Sequence, residues 1–232
     1  MKNKPDFTFF ECLVLGVVLL IVLVGITSFY VNRDWFLSEY VVEDGFIEYI
    51  TLIPLLVAAG AALVYRNRFS DTKSRYFKTL MVMVFASCLF VAGEEISWGQ
   101  RLFNVQSSEF FLQNNVQAET NLHNMQIGDV KINKLVFSKM LYLMVGIYLT
   151  AVPYLYQKNA SFKKFMDFHG IPVPQLYQTM SCALLFVSIS LIPHGKNAEI
   201  LEVGICHLFL LIFLFPQNKH IFRVPARTAV LV

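Results

Sequence analysis

The chain has 232 residues, of which 56% are hydrophobic and 15% charged, whereas water-borne domains carry roughly 25% charged residues. That excludes an ordinary soluble domain, and the formal net charge of +3 says nothing until its distribution is read. The four cysteines, Cys12, Cys88, Cys182 and Cys206, stand singly in apolar runs with no C-x-x-C partner, which excludes a disulfide framework or zinc knuckle and predicts buried, inert thiols.

Six apolar runs approach the roughly 20 residues that a helix needs to cross the hydrocarbon layer. They cover residues 9–31, 45–65, 79–101, 135–156, 176–193 and 199–216. Each is continuously apolar rather than alternating, which predicts helices and not barrel strands. The expected fold is an all-α integral membrane protein with six transmembrane helices. It forms one polytopic domain over 1–232, with a structured outer loop at 102–134 between the third and fourth helices. Lys2 and Lys4 precede the first run as in a signal peptide, but the run exceeds the roughly 7–15-residue apolar core of such peptides and lacks a small-residue cleavage pattern. It is therefore read as a retained helix.

Thirteen of the 19 lysines and arginines fall in the two tails, in "RNRFSDTKSRYFK" between the second and third runs, and around Lys158, Lys163 and Lys164. Positive residues accumulate on the cytoplasmic side, so both termini are expected to be cytoplasmic, in an inner (plasma) membrane. The polybasic loop is read as lying near anionic headgroups rather than binding nucleic acid. Membrane lipids are the expected partners, with a second copy or a membrane-complex subunit as further candidates.

This orientation places ionisable groups from four helices at one depth on the outer side. Glu43, Asp44 and Glu48 enter the second span there. The third span ends in "FVAGEEISWGQRLF", where Glu94, Ser97, Trp98 and Arg101 have the i, i+3, i+4, i+7 spacing of one helix face. Glu95 points about 100° away from Glu94 and shares few of its partners. Intramembrane charges are costly, so they pair, face the protein interior or line a wet cavity. Adjacent carboxylates there suit general acid–base work; an internal ion-pair network around Arg101 is the alternative.

The 102–134 loop carries ten Asn and Gln. Ser107 and Ser108 are expected to cap a short helix, "EFFLQNN". In "QAETNLHNM" helical spacing would pair Glu119 with His123 and turn the imidazole toward the third span; a polar lid is the alternative. "FKKFMDFHGIPVPQLY" reads as an interfacial stretch stopped by its two prolines. His194 reads as a turn residue. In the last span Glu199, Glu202 and Cys206 share a face, and His207 lies about 140° from Glu202. The inner halves of the spans offer mainly Ser87, Ser138, Ser181 and Tyr142 as polar groups.

"GEEISWGQRLF" followed by "NNVQAETNLHN" resembles the signature of an uncharacterised bacterial multi-pass inner-membrane family. That likeness implies a bacterial inner-membrane address and no particular activity. Glu94–Glu95 with Arg101 is also similar to the paired-glutamate motif of CPBP-type intramembrane proteases. In those proteases, however, the arginine comes four residues after the second glutamate, not six. Alkaline-ceramidase-like hydrolases share membrane-embedded Glu/His chemistry, but their closing H-x-x-x-H pattern is absent here.

Two functions are expected from these residues. One is a membrane-embedded hydrolase or transferase acting on a lipid or lipid-linked substrate from the extracytoplasmic side. In that enzyme Glu94, Glu95, His123 and His207 would be catalytic, and Arg101, Glu48, Trp98, Asn121 and Asn124 would bind substrate. A divalent metal would be held by Glu94, Glu95, His123 and Glu202, although no ligand spacing demands one. The other is a non-enzymatic channel, transporter or sensor subunit whose carboxylates line an ion path or stabilise an interface.

Overall fold

The structure is a computed structural model and describes residues 7–42, 45–69, 73–122, 124–127, 130–131 and 140–222. The described residues are predominantly helical, with one antiparallel pair of two-residue strands. Helix α1 (Phe9–Val31) opens with a reciprocal cap: Thr8 Oγ1 accepts the Glu11 amide at 3.2 Å, and Glu11 Oε2 accepts the Thr8 amide at 2.9 Å. A short α2 (Arg33–Trp35) and one π-helical turn, Phe36–Tyr40, follow. They fold the Tyr40 ring back, so that its hydroxyl donates to the Ile21 carbonyl at 2.6 Å. Burial there pushes the phenol above its ordinary pKa.

Helices α3 (Phe46–Arg68) and α4 (Arg75–Glu95) pack along each other. The small-residue patch of α3 lies in that core, with Ala58, Ala59 and Ala62 buried. Lipid tails are as apolar as leucine, so helices associate in a bilayer by close packing, and small side chains permit it. After α4 come α5 (Glu109–Asn114), strands β1 (Gln126–Ile127) and β2 (Val130–Lys131), then α6 (Leu141–Lys158), α7 (Ala160–His169), α8 (Leu176–Ile189) and α9 (Asn197–Leu214). Helix α9 is central and packs on α1, α3 and α8; Ile200, Val203, Leu208 and Leu211 are fully or almost fully buried.

Contacts at the two ends of the bundle show that the long helices alternate in direction. At one end Phe10 of α1 meets Phe215 just past α9. There also Gln175 before α8 donates to the Phe215 carbonyl at 2.7 Å, and Tyr65 of α3 stacks on Phe222. At the other end the Tyr30 hydroxyl donates to the Leu191 carbonyl at 2.7 Å, and Tyr142 meets Phe186 edge-on. Tyr142 therefore belongs to the end where α4 finishes and α9 starts, not to the opposite half where the sequence reading put it.

Among the described residues four helices, α1, α3, α4 and α9, are long and apolar enough to cross a membrane. Helix α8 matches the fifth predicted run but has only 14 residues; the chain turns at Ser190, ahead of Pro193. Helix α6 runs to Lys158, two residues past the predicted 156, while residues 132–139, where the fourth run was expected to begin, lie outside the described residues. The third run is shifted most. Its helix begins at Arg75, capped by Ser74, and ends at Glu95 rather than 101. The expected buried state holds for Cys88 and Cys182 but not for Cys12, which is exposed on the surface of α1, or for Cys206, which is half-buried.

Helix α7 ends at Gly170 and not at the prolines. Gly170 is left-handed (φ 73°), and the Ile171 amide returns to the Met166 carbonyl at 2.9 Å.

Candidate functional site

The motif "GEEISWGQR" changes direction within itself. After Glu95 three successive residues are left-handed, Ser97 (φ 47°), Trp98 (φ 55°) and Gly99 (φ 76°). For the serine and the tryptophan this costs about 1–3 kcal/mol each, and it persists only where surrounding contacts over-determine it. Those contacts are present. The Trp98 ring folds back over Gly93, where a Cβ would come within 2.9 Å of it. Its Nε1–H donates to Glu94 Oε1 at 2.8 Å. Because the helix has ended, Glu94, Ser97, Trp98 and Arg101 do not share a helical face as their spacing predicted. Glu94 and Trp98 meet through the reversal instead, and Arg101 turns to another partner.

That partner is Glu119. Its carboxylate is buried and accepts from Ser97 Oγ at 2.9 Å, from Asn121 Nδ2 at 2.8 Å and from the Arg101 guanidinium. Asn121, 1% exposed, also donates to Ser97 Oγ at 2.9 Å and accepts from Asn115 Nδ2 at 2.9 Å and the Asn124 amide at 3.2 Å. Asn115 Oδ1 takes the Gln117 amide at 2.8 Å, an Asx turn. Gln100 Oε1 accepts the Thr120 amide at 2.7 Å, and the second Glu94 oxygen accepts the Leu122 amide at 2.6 Å. Polar side chains of the loop thus satisfy the end of α4 and its reversal, as burial of such groups requires.

The loop differs locally from its prediction. Helix α5 forms with Ser108 at its N-cap position, but the Ser108 side chain makes no capping bond. Ser107 donates instead to the Ala118 carbonyl at 2.7 Å. Residues 117–122 are not helical, and Asn115 bridges with Met125. His123 lies outside the described residues, as do Glu43 and Asp44.

Glu95 faces away from this network. It lies within electrostatic reach of Glu202, Glu199 and Glu48 as well as Glu94, so carboxylates from α3, α4 and α9 converge at one end of the bundle. Glu48, Glu95 and Glu199 are half-buried, whereas Glu202 is exposed. Tyr142 of α6 approaches Glu202, and Cys206, one turn farther along α9, approaches both Glu95 and Glu202. The cation beside the group is Lys196, whose Nζ is 3.5 Å from Glu199 Oε1. A partly exposed pair of this kind contributes under about 1 kcal/mol.

The structure therefore divides the predicted site. Glu48, Glu95 and Glu202 come together; Glu94, Trp98, Arg101, Asn121 and Asn124 belong to the loop network. His207 is buried in α9 with Nδ1 2.8 Å from the Val203 carbonyl of its own helix. Among the described residues no three His, Cys, Asp or Glu side chains have an arrangement that would hold a metal ion. Within the proposed metal set, Glu94 is turned from Glu95 toward Trp98 and Leu122. Sequence reasoning missed Asn115 and Gln100. An Asx-turn signal at "NNVQ" could have found the former; no local signal marks the latter.

Loss of one Glu94 oxygen tests the network. In Glu94→Gln an amide N–H₂ faces either the Trp98 or the Leu122 N–H, so we expect a loss of about 1–3 kcal/mol. In a Trp35→Phe background, Trp98 emission should shift to the red as the indole is released. Comparison with family models, with curated proteins and with solved structures finds no match to this chain.

Proposed function

We propose that the chain is a six-span protein of a bacterial inner membrane, with both termini cytoplasmic, and that it is a non-enzymatic transporter or sensor subunit. It takes up a cationic ligand at the extracytoplasmic carboxylate cluster. The observation that carries this reading is the convergence of Glu48, Glu95, Glu199 and Glu202 from three helices. Acidic side chains from three helices at the edge of a low-dielectric layer offer several oxygen acceptors to one cation. With no chelating arrangement among the described residues, a protonated amine or hydrated ion suits the cluster better than a tightly ligated metal.

The hydrolase or transferase reading asks Arg101 and His207 to work beside the carboxylates, together with His123, which lies outside the described residues. Arg101 is paired with Glu119 and His207 with Val203, so the geometry favours binding over bond cleavage. A channel would need open polar groups through the full thickness; at the opposite end Glu11, Tyr177 and Gln178 are tied to one another and to the Leu211 and Phe215 carbonyls.

The test is thermal melting of the purified protein in neutral detergent with sodium, magnesium or spermidine at matched ionic strength. A ligand present at a hundredfold its dissociation constant stabilises the fold by about 2.7 kcal/mol, a rise of about 5–10 °C for a chain of this size. We expect spermidine to raise the melting temperature and Glu95→Gln to abolish the rise. Equal melting in all three salts would overturn the reading.

A further inference from the structure

The opposite end of the bundle carries a different surface, independent of the carboxylate cluster. Helix α7 starts one residue after α6 ends, with Asn159 turning the chain and capping the new helix through the Phe162 amide at 3.0 Å. Its rotation about its own axis is fixed. Met166 is buried with Tyr156 and Val173. Asp167 accepts from the Tyr156 hydroxyl at 3.0 Å and from Asn218 Nδ2 at 3.1 Å, and it pairs with His220 at 3.1 Å.

With that face held inward, the other face presents Phe165 and Phe168, 51% and 57% exposed. Lys164 beside Phe168 is also exposed, as is Lys163 on the neighbouring flank of the helix, its ammonium 5.4 Å from the centre of the Tyr156 ring. Tyr76 of α4, 46% exposed, lies 5.9 Å from Phe168, and the exposed Arg75 adjoins it. Large apolar side chains bordered by cations, at the level where a membrane-crossing helix ends, match an interfacial helix, with rings at the acyl boundary and cations among the phosphates.

We propose that α7 and the start of α4 form a docking surface for anionic phospholipid, with Phe165, Phe168 and Tyr76 at the acyl boundary and Lys163, Lys164 and Arg75 on the headgroup phosphate. Charge complementarity selects the occupant. A zwitterionic lipid satisfies the rings equally but returns no net charge to three cations, whereas an anionic one does.

The full-length protein, delipidated in neutral detergent, is titrated with phosphatidylglycerol or phosphatidylcholine, and bound lipid is counted by native mass spectrometry. The wild type should bind phosphatidylglycerol at least about tenfold more tightly. Each cation removed should cost about fivefold, so Lys163→Gln with Lys164→Gln should weaken phosphatidylglycerol about 25-fold and leave phosphatidylcholine unchanged. Phe165→Ser with Phe168→Ser should weaken both lipids alike. Equal affinity for the two lipids in the wild type would overturn the proposal. So would phosphatidylglycerol binding that is unchanged by the lysine or the phenylalanine pair.

Discussion

Replacing Glu119 with alanine should lower the unfolding free energy by about 3–6 kcal/mol, because three donors then lose one buried acceptor. Ser97 Oγ, Asn121 Nδ2 and the Arg101 guanidinium all converge on this carboxylate. Ser97 is also one of the left-handed residues, so its hydroxyl bond helps hold an unfavourable backbone conformation. Glu119→Gln should cost less, since it keeps one carbonyl for Ser97 and Asn121 while losing the ion pair with Arg101. Chemical unfolding in mixed micelles, followed by Trp98 emission in the Trp35→Phe background, measures both. Equal stability of Glu119→Ala and the parent would remove the network from the account.

The second large effect is expected at Gly170. It sits at φ 73°, and an added Cβ would fall 2.2 Å from Cδ2 of Phe77, which is 1% exposed. Alanine there meets both the left-handed penalty, about 1–2 kcal/mol, and overpacking against a buried ring, typically about 1–3 kcal/mol. A loss of about 2–5 kcal/mol is expected in the same unfolding assay. The damage should be local to the junction of α7 with α4, since Ser74 Oγ also meets the Phe168 carbonyl there. Phe77→Leu in combination with Gly170→Ala should recover part of the loss by making room, whereas an unimproved double variant would point to the backbone alone.

Much of the scaffold is legible in the residue order, because continuous apolar runs leave little choice but helix. Helices α1, α3 and α9 follow their predicted runs closely at both ends. The angular argument about Glu94 and Glu95 also transfers well. Neighbours about 100° apart on a helix serve different surroundings, and here one holds the loop while the other joins the cluster. The end of α4 was not legible. Gly99 is the one residue in "ISWG" whose type signals a left-handed turn, and it comes last of the three. Ser97 and Trp98 adopt that conformation because of bonds to Glu94, Glu119 and Asn121, two of them more than 20 residues away. The helical period over 117–122 misled for the same reason: Asn115 supplied the amides of Gln117 and Glu119 with another partner. Side chains of Asn compete with helix in this way wherever amide groups are dense.

Two adjacent glutamates with separate duties form the central claim, and cation-dependent melting of Glu94→Gln and Glu95→Gln, side by side with the parent, tests it most directly. The account predicts that Glu94→Gln melts lower in every salt yet keeps the full rise with spermidine. Glu95→Gln should lose the rise with spermidine. A spermidine response that survives in Glu95→Gln and disappears in Glu94→Gln would contradict the assignment of the two carboxylates.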